Sequence, residues 1–181
     1  MSEPTFYKWL TTDRITTYQQ TVWPVRVGSW TPDKNPVLCQ SGWHLATHGG
    51  IGEHCRIGAV LWEAEGRGEV AESDDKIAFT SVRLLRQVGT LDQQTAVRWA
   101  AECAKRALKH YEVKYPDNKR PRDAINAALA WAKEPSEKNR AAAANAATYA
   151  AYAANATNAT AKRKERVWQS DRLLELIGGG R

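Results

Sequence analysis

The spacing of apolar residues changes character near Gly89. Before it, short runs rich in Val, Trp, Thr, Phe and Ile, "TVWPVRVGSW", "NPVLCQSGWHLAT", "AVLWEAEGRGEV" and "DKIAFTSVRLLRQVG", are punctuated by Pro-Val, Ser-Gly, Gly-Gly and Gly-Arg-Gly. Residues of this kind suit a pleated surface, and the punctuation supplies turns. After Leu61, alternation sets Trp62 and Ala64 against Glu63 and Glu65, the pattern of a half-buried strand. Ser81 to Val88 alternates less cleanly, with Val82, Leu84 and Arg86 opposite Arg83 and Leu85. The pattern predicts a small, strongly twisted, mostly antiparallel sheet, with one short helix around Gly52 to Cys55.

From Leu91 the apolar spacing becomes three and four. Asp92 is placed to cap a helix whose stripe is Val97, Ala100, Ala101, Ala104, Leu108 and Tyr111, as far as Lys114. Pro116 and Asp117-Asn118 break it, and Pro121 opens a second helix striped by Ile125, Ala128, Leu129 and Ala132. Ser136 is the expected N-cap of a third helix, ended by Gly178-Gly179-Gly180. This third helix would contain the segment 141–161, with 13 Ala in 21 residues. Alanine forms helix readily, and its small side chain lets a neighbouring helix approach closely. The expected class is therefore α+β: a Trp-rich, twisted antiparallel β domain over 1–90, then an α-helical hairpin or three-helix bundle with an Ala-rich helix over 91–181.

Composition agrees with a folded chain: 43% of the 181 residues are hydrophobic and 25% charged. No window approaches the run of about 18 apolar residues that crosses a bilayer, and MSEPTFYKWL lacks a secretory layout, so a cytoplasmic protein without membrane partners is expected. Three cysteines are too few and too odd a set for a disulfide framework. Charge is divided unevenly: residues 1–91 are net −1 and residues 92–181 net +7, so any attraction for an acidic partner belongs to the second half.

Certain residues of that half carry a family likeness. Tyr115-Pro116-Asp117, Arg120-Pro121-Arg122, Ala124-Ile125 and Ala130-Trp131, followed by the Ala-rich run, occur in the order found in the Imm-5-like immunity proteins of bacteria and some phages. From Cys103 onward the chain resembles the helical domain of that family. In the first half, Cys39, Gly42, Trp43, His44 and Asp75-Lys76 look like an uncharacterised domain of phage and actinobacterial proteins. These resemblances imply a phage or prophage accessory protein, immunity-like or anti-defence in role, that binds a protein such as a host defence or toxin component. They transfer no catalytic mechanism.

Cys39, His44, His48 and His54, with Cys55, contain zinc-binding residue types, and His44-x3-His48 is a recognised pair spacing. The Cys39-x4-His44 step is irregular, however, and adjacent His54-Cys55 cannot easily reach one ion. The competing expectation is that Cys39 is a small buried residue and His44 bonds a backbone carbonyl. A Cys-His nucleophile needs a thiolate, an orienting carboxylate and an oxyanion hole, none of which sequence proximity supplies. The glycine-rich pieces lack a phosphate-loop Lys-Ser/Thr, so no cofactor and no enzymatic activity are expected. Partner-binding candidates are Arg120, Arg122, Tyr149, Tyr152, Lys162, Arg163, Lys164, Arg166 and Trp168, whose cations and aromatics also fit the alternative of nucleic-acid binding.

Overall fold

The longest alternating stretch folds as a hairpin: β3 (Val60–Glu72) and β4 (Lys76–Thr90) run antiparallel around Ser73-Asp74-Asp75. The turn is fastened by the Ser73 hydroxyl, which donates to Asp75 Oδ1 at 2.8 Å. Register shifts at Leu61/Trp62, Glu63/Ala64 and Arg67/Val70 bend the ribbon, and the first two leave Val88 and Leu85 of β4 as the extra residues. Opposed on the outer face, Glu63 pairs with Arg86, and Glu65 lies 2.6 Å from the Arg83 guanidinium.

Bending lets two short strands close the sheet. β1 (Phe6–Leu10) pairs with β3, β2 (Trp43–Ala46) pairs with β4, and β1 meets β2 at Tyr7–Ala46, giving a closed antiparallel ring in the order β1-β2-β4-β3. Leu10, Trp23, Leu45, Ala64, Phe79, Val82 and Leu84 fill it. This computed structural model describes residues 5–136 and 159–178. It shows the expected α+β class, while most of the Ala-rich segment, with Tyr149 and Tyr152, lies outside the described residues.

Two local expectations are corrected. Residues 21–30 form no strand: Pro24 has no amide hydrogen, and only Val22 makes a bridge, to Ile15. Trp23 instead inserts into the core at 3% exposure. The following backbone lies along β4 irregularly, with the amides of Gly28, Thr31 and Lys34 donating to the carbonyls of Leu84, Val82 and Thr80 at 2.8–2.9 Å. Conversely, "FYKWL" is a strand that the sequence pattern did not announce, because its aromatic run has no turn residues framing it. The expected short helix is present as two consecutive 3-10 turns, His48–Gly50 and Gly52–His54.

By internal contacts the described residues up to Leu91 and from Arg166 onward form one compact unit, and those of Asp92–Glu165 a second. The first therefore takes up the end of α3 (Ala159–Gly178), where the sequence expectation kept everything beyond 91 together. Leu173 and Ser170 are buried, and Arg166 Nε lies 2.9 Å from Glu53 Oε1. His48 Nε2 lies 2.8 Å from Asp171 Oδ1.

The second unit contains the helix pair α1 (Gln93–Lys114) and α2 (Arg120–Lys133). Ala101, Ala104 and Leu108 pack against Ile125, Ala128 and Trp131, with Val97 and Leu129 alongside, the predicted stripes except that Trp131 stands in the second where Ala132 was expected. Asp92 Oδ1 accepts the Thr95 amide at 2.7 Å, so the expected cap is formed. Asp92→Ala is expected to lower the stability of this unit by about 1 kcal/mol in urea unfolding followed by helical circular dichroism. No loss would mean that the cap is replaced by water at no cost.

Candidate functional site

The histidines and cysteines of the first half reach different partners. Gly42 turns the chain into β2 with φ +86°, where a Cβ would lie 2.8 Å from Pro36 Cα, so the turn requires glycine. Cys39 is exposed, not buried as expected, and takes a left-handed conformation of φ +61° that aims its amide at His44, donating to Nε2 at 3.0 Å, so the ring bonds a backbone amide and not the expected carbonyl. An imidazole nitrogen that accepts is unprotonated, and burial, then the charges of Lys8 and Lys76, lowers the His44 pKa. His48 faces Asp171, and His54 Nε2 lies 2.8 Å from Asp75 Oδ2 without the alignment of a good hydrogen bond. Burial pushes the His54 pKa down against the opposing pull of Asp75. Burial also pushes the Cys55 thiol up, away from thiolate reactivity.

Cys39, His44, His48 and His54 therefore do not converge as a ligand set, and among the described residues no group of three or more His, Cys, Asp or Glu side chains could hold a metal ion. Three of them meet around something else. A cavity of about 440 Å³ is lined by Lys8, Tyr18, Cys39, His44, His54 and Lys76 together with backbone-bearing residues of β1 and β2. It lies where these two strands share a single paired position, Tyr7–Ala46. Lys8, on the same face of β1 as the core residues Phe6 and Leu10, donates from Nζ to the His44 carbonyl at 2.9 Å and bridges the strands there. Its side chain retains some accessible surface, but the ammonium is enclosed, and that burial lowers its pKa to about 8. Sequence reasoning missed Lys8 and named Lys76 only as part of the Asp75-Lys76 likeness, not as a site residue. The available signal was a lysine set among aromatics in "FYKWL".

The helical candidates are more dispersed. Arg122 is committed to Glu112 through two bonds of 2.7 and 2.5 Å, and Arg166 to Glu53. Arg120, Lys162, Arg163 and Lys164 are exposed, and Trp168 is half-buried. Beside Arg120, the turn between α1 and α2 shows a surface that the spacing did not single out. Val113 is 86% exposed and Tyr115 45%, the Tyr115 ring lies 4.9 Å from that of Tyr111, and Lys114 Nζ sits 5.3 Å from its centre. The turn itself is held by Asn118 Nδ2 donating to the Tyr111 hydroxyl at 2.9 Å and Lys119 Nζ to the Pro116 carbonyl at 2.8 Å. Its two large side chains are thus presented on a fixed backbone, with Lys114, Lys119 and Arg120 around them.

Among the described residues no helix is long and apolar enough to cross a membrane. No curated protein and no solved structure gives a significant match to the chain. Residues 86–145, which take in α1, the α1–α2 turn and α2, match the family described as Imm-5 like putative immunity protein, and this match indicates an immunity-type role.

Proposed function

We propose that the chain is a non-catalytic accessory protein of phage or prophage origin that works in the host-cell cytoplasm by binding a protein target, a toxin or a host defence component. The observation that carries this reading is the position of the family match, which spans the hairpin whose turn exposes Val113 and Tyr115. One exposed valine means little, but an aromatic beside it on a braced turn has the composition of an interface centre. Lys114, Lys119 and Arg120 at the rim favour an acidic target surface and would speed its approach.

Crosslinking of the full chain in cells, followed by calorimetry with the purified captured protein, tests the reading. Tyr115→Ala combined with Arg120→Glu is expected to weaken binding by at least about tenfold, since buried aromatics and arginines dominate interface energies. Its circular dichroism spectrum should match that of the native chain, and co-expression of the native chain should protect cells from the captured protein's toxicity. Equal binding by the double variant sinks the assignment of this surface. Recovery of nucleic acid alone, with affinity that collapses between low and moderate salt, sinks the protein-target reading and favours the basic-half alternative. The commitment of Arg122 and Arg166 to carboxylates speaks against that alternative, because paired cations release fewer phosphate counterions.

A further inference from the structure

The cavity between β1 and β2 has an unbalanced charge. Lys8, Lys76, His44 and His54 all line it, and among the described residues no Asp or Glu does. Asp75, the carboxylate that meets the lining residue His54, also accepts from the Ser73 hydroxyl. The Lys8 ammonium has three donors, of which the His44 carbonyl takes one, and its other close neighbour is the Trp23 ring at 5.9 Å. An enclosed ammonium without a counter-charge is an expensive arrangement, and it is relieved when an anion enters beside it. Like charges around His44 reinforce the point, since Lys8, Lys76 and His54 each disfavour its protonation.

We propose that this cavity is a binding site for a small organic phosphate, with the phosphoryl group between Lys8 and Lys76 and the organic part against Tyr18. Two ammonium groups match the charge of a phosphate monoester, whose three terminal oxygens use more donors than a carboxylate offers acceptors for. The Cys39 amide donates to Nε2 of the His44 ring, so that ring stays an uncharged wall and the lysines carry the anion. Tyr18 is 61% exposed at the rim and is held in place by the Arg56 guanidinium at 4.7 Å and the His54 ring at 6.4 Å, leaving an aromatic face for a base or another flat group. The volume of about 440 Å³ is within the range of small-ligand sites. The site belongs wholly to the β unit and is independent of the helical docking surface.

Calorimetric titration of the full chain with inorganic phosphate, ribose 5-phosphate, adenosine 5′-monophosphate, adenosine and acetate tests the proposal. The three phosphates are expected to bind and adenosine and acetate not to, with the organic phosphates tighter than inorganic phosphate. Lys8→Met and Lys76→Gln should each weaken phosphate binding by at least about tenfold, the effect of losing one charge-assisted contact. Lys76→Gln serves as the second variant if Lys8→Met alters the fold. Tyr18→Ala should weaken adenosine 5′-monophosphate while leaving inorganic phosphate unchanged. Absence of phosphate binding at millimolar concentration, unchanged binding in both lysine variants, or adenosine binding as well as its monophosphate would each overturn the site. Inorganic phosphate binding as tightly as every organic phosphate would overturn the ligand class.

Discussion

Gly50→Ala is expected to destabilise the β unit by about 3 kcal/mol, the upper end of what overpacking usually costs. An added Cβ would lie 1.8 Å from the carbonyl oxygen of Asp75, 2.7 Å from its carbonyl carbon and 3.0 Å from its Cα. These are backbone atoms, so no side-chain rotation relieves the overlap. The same oxygen accepts the Thr47 amide at 3.0 Å, so moving the 3-10 turn away breaks a bond that anchors it to the β3–β4 hairpin. Displacement also disturbs Ile51, fully buried, whose carbonyl accepts Trp9 Nε1 at 2.9 Å, and it separates His54 from Asp75. Gly49→Ala is the control. Its Cβ would meet nothing closer than 3.9 Å, so a change within about 0.5 kcal/mol is expected, as for substitutions that touch no special feature. Urea unfolding followed by tryptophan fluorescence reads both variants. Similar midpoints for the two would show that the hairpin turn yields freely and that the 3-10 segment is not fixed by it.

What the sequence made legible follows the range over which each feature is determined. The α1–α2 pair depends on spacing, a capping Asp92 and a first-turn Pro121, all local, and its stripes entered the core as expected but for Trp131 in place of Ala132. The β3–β4 hairpin was legible for the same reason, although its bulges, which leave Val88 and Leu85 of β4 without a partner on β3, were not. β1 and the loop carrying Trp23 were misjudged because β-propensity does not say which segment finds a partner. "TVWPVRVGSW" has the composition of a strand, yet Pro24 and the insertion of Trp23 remove it from the ladder, while five residues of "FYKWL" take the place on β3. The cluster of histidines was visible, but its chemistry was not. His48 is completed by Asp171, 123 residues away, while Lys8, 36 residues away, takes the His44 carbonyl and the Cys39 amide takes the His44 ring. The cavity exists only because β1 and β2 pair at one position, a consequence of ring closure that no local window contains.

Lys8→Met should reveal the enclosed ammonium as a dependence of stability on pH. In the folded chain the Lys8 pKa is lowered from 10.5 to about 8 by burial, so between these values the unfolded chain binds a proton that the folded chain has lost. Stability contributed by this group therefore rises as pH increases through that window, and below about 8 the cost of the buried charge is present in full. At about 1.4 kcal/mol per pH unit, the native chain should gain up to about 3 kcal/mol relative to Lys8→Met across the window. The variant also leaves the His44 carbonyl without its Lys8 donor, a loss of about 1 kcal/mol or more that does not vary with pH and shifts the whole difference curve without changing its slope. Removing Lys8 relieves His44 of a nearby positive charge, but that imidazole titrates from a starting value of 6.5 that is already lowered, below the window being read. Other groups titrate in both proteins and largely cancel in the difference, leaving Lys8 as its main source. Urea unfolding of the two proteins at pH values from 7.5 to 10.5 measures it. A flat difference would place the ammonium in water, and it would remove the charge on which the phosphate site depends.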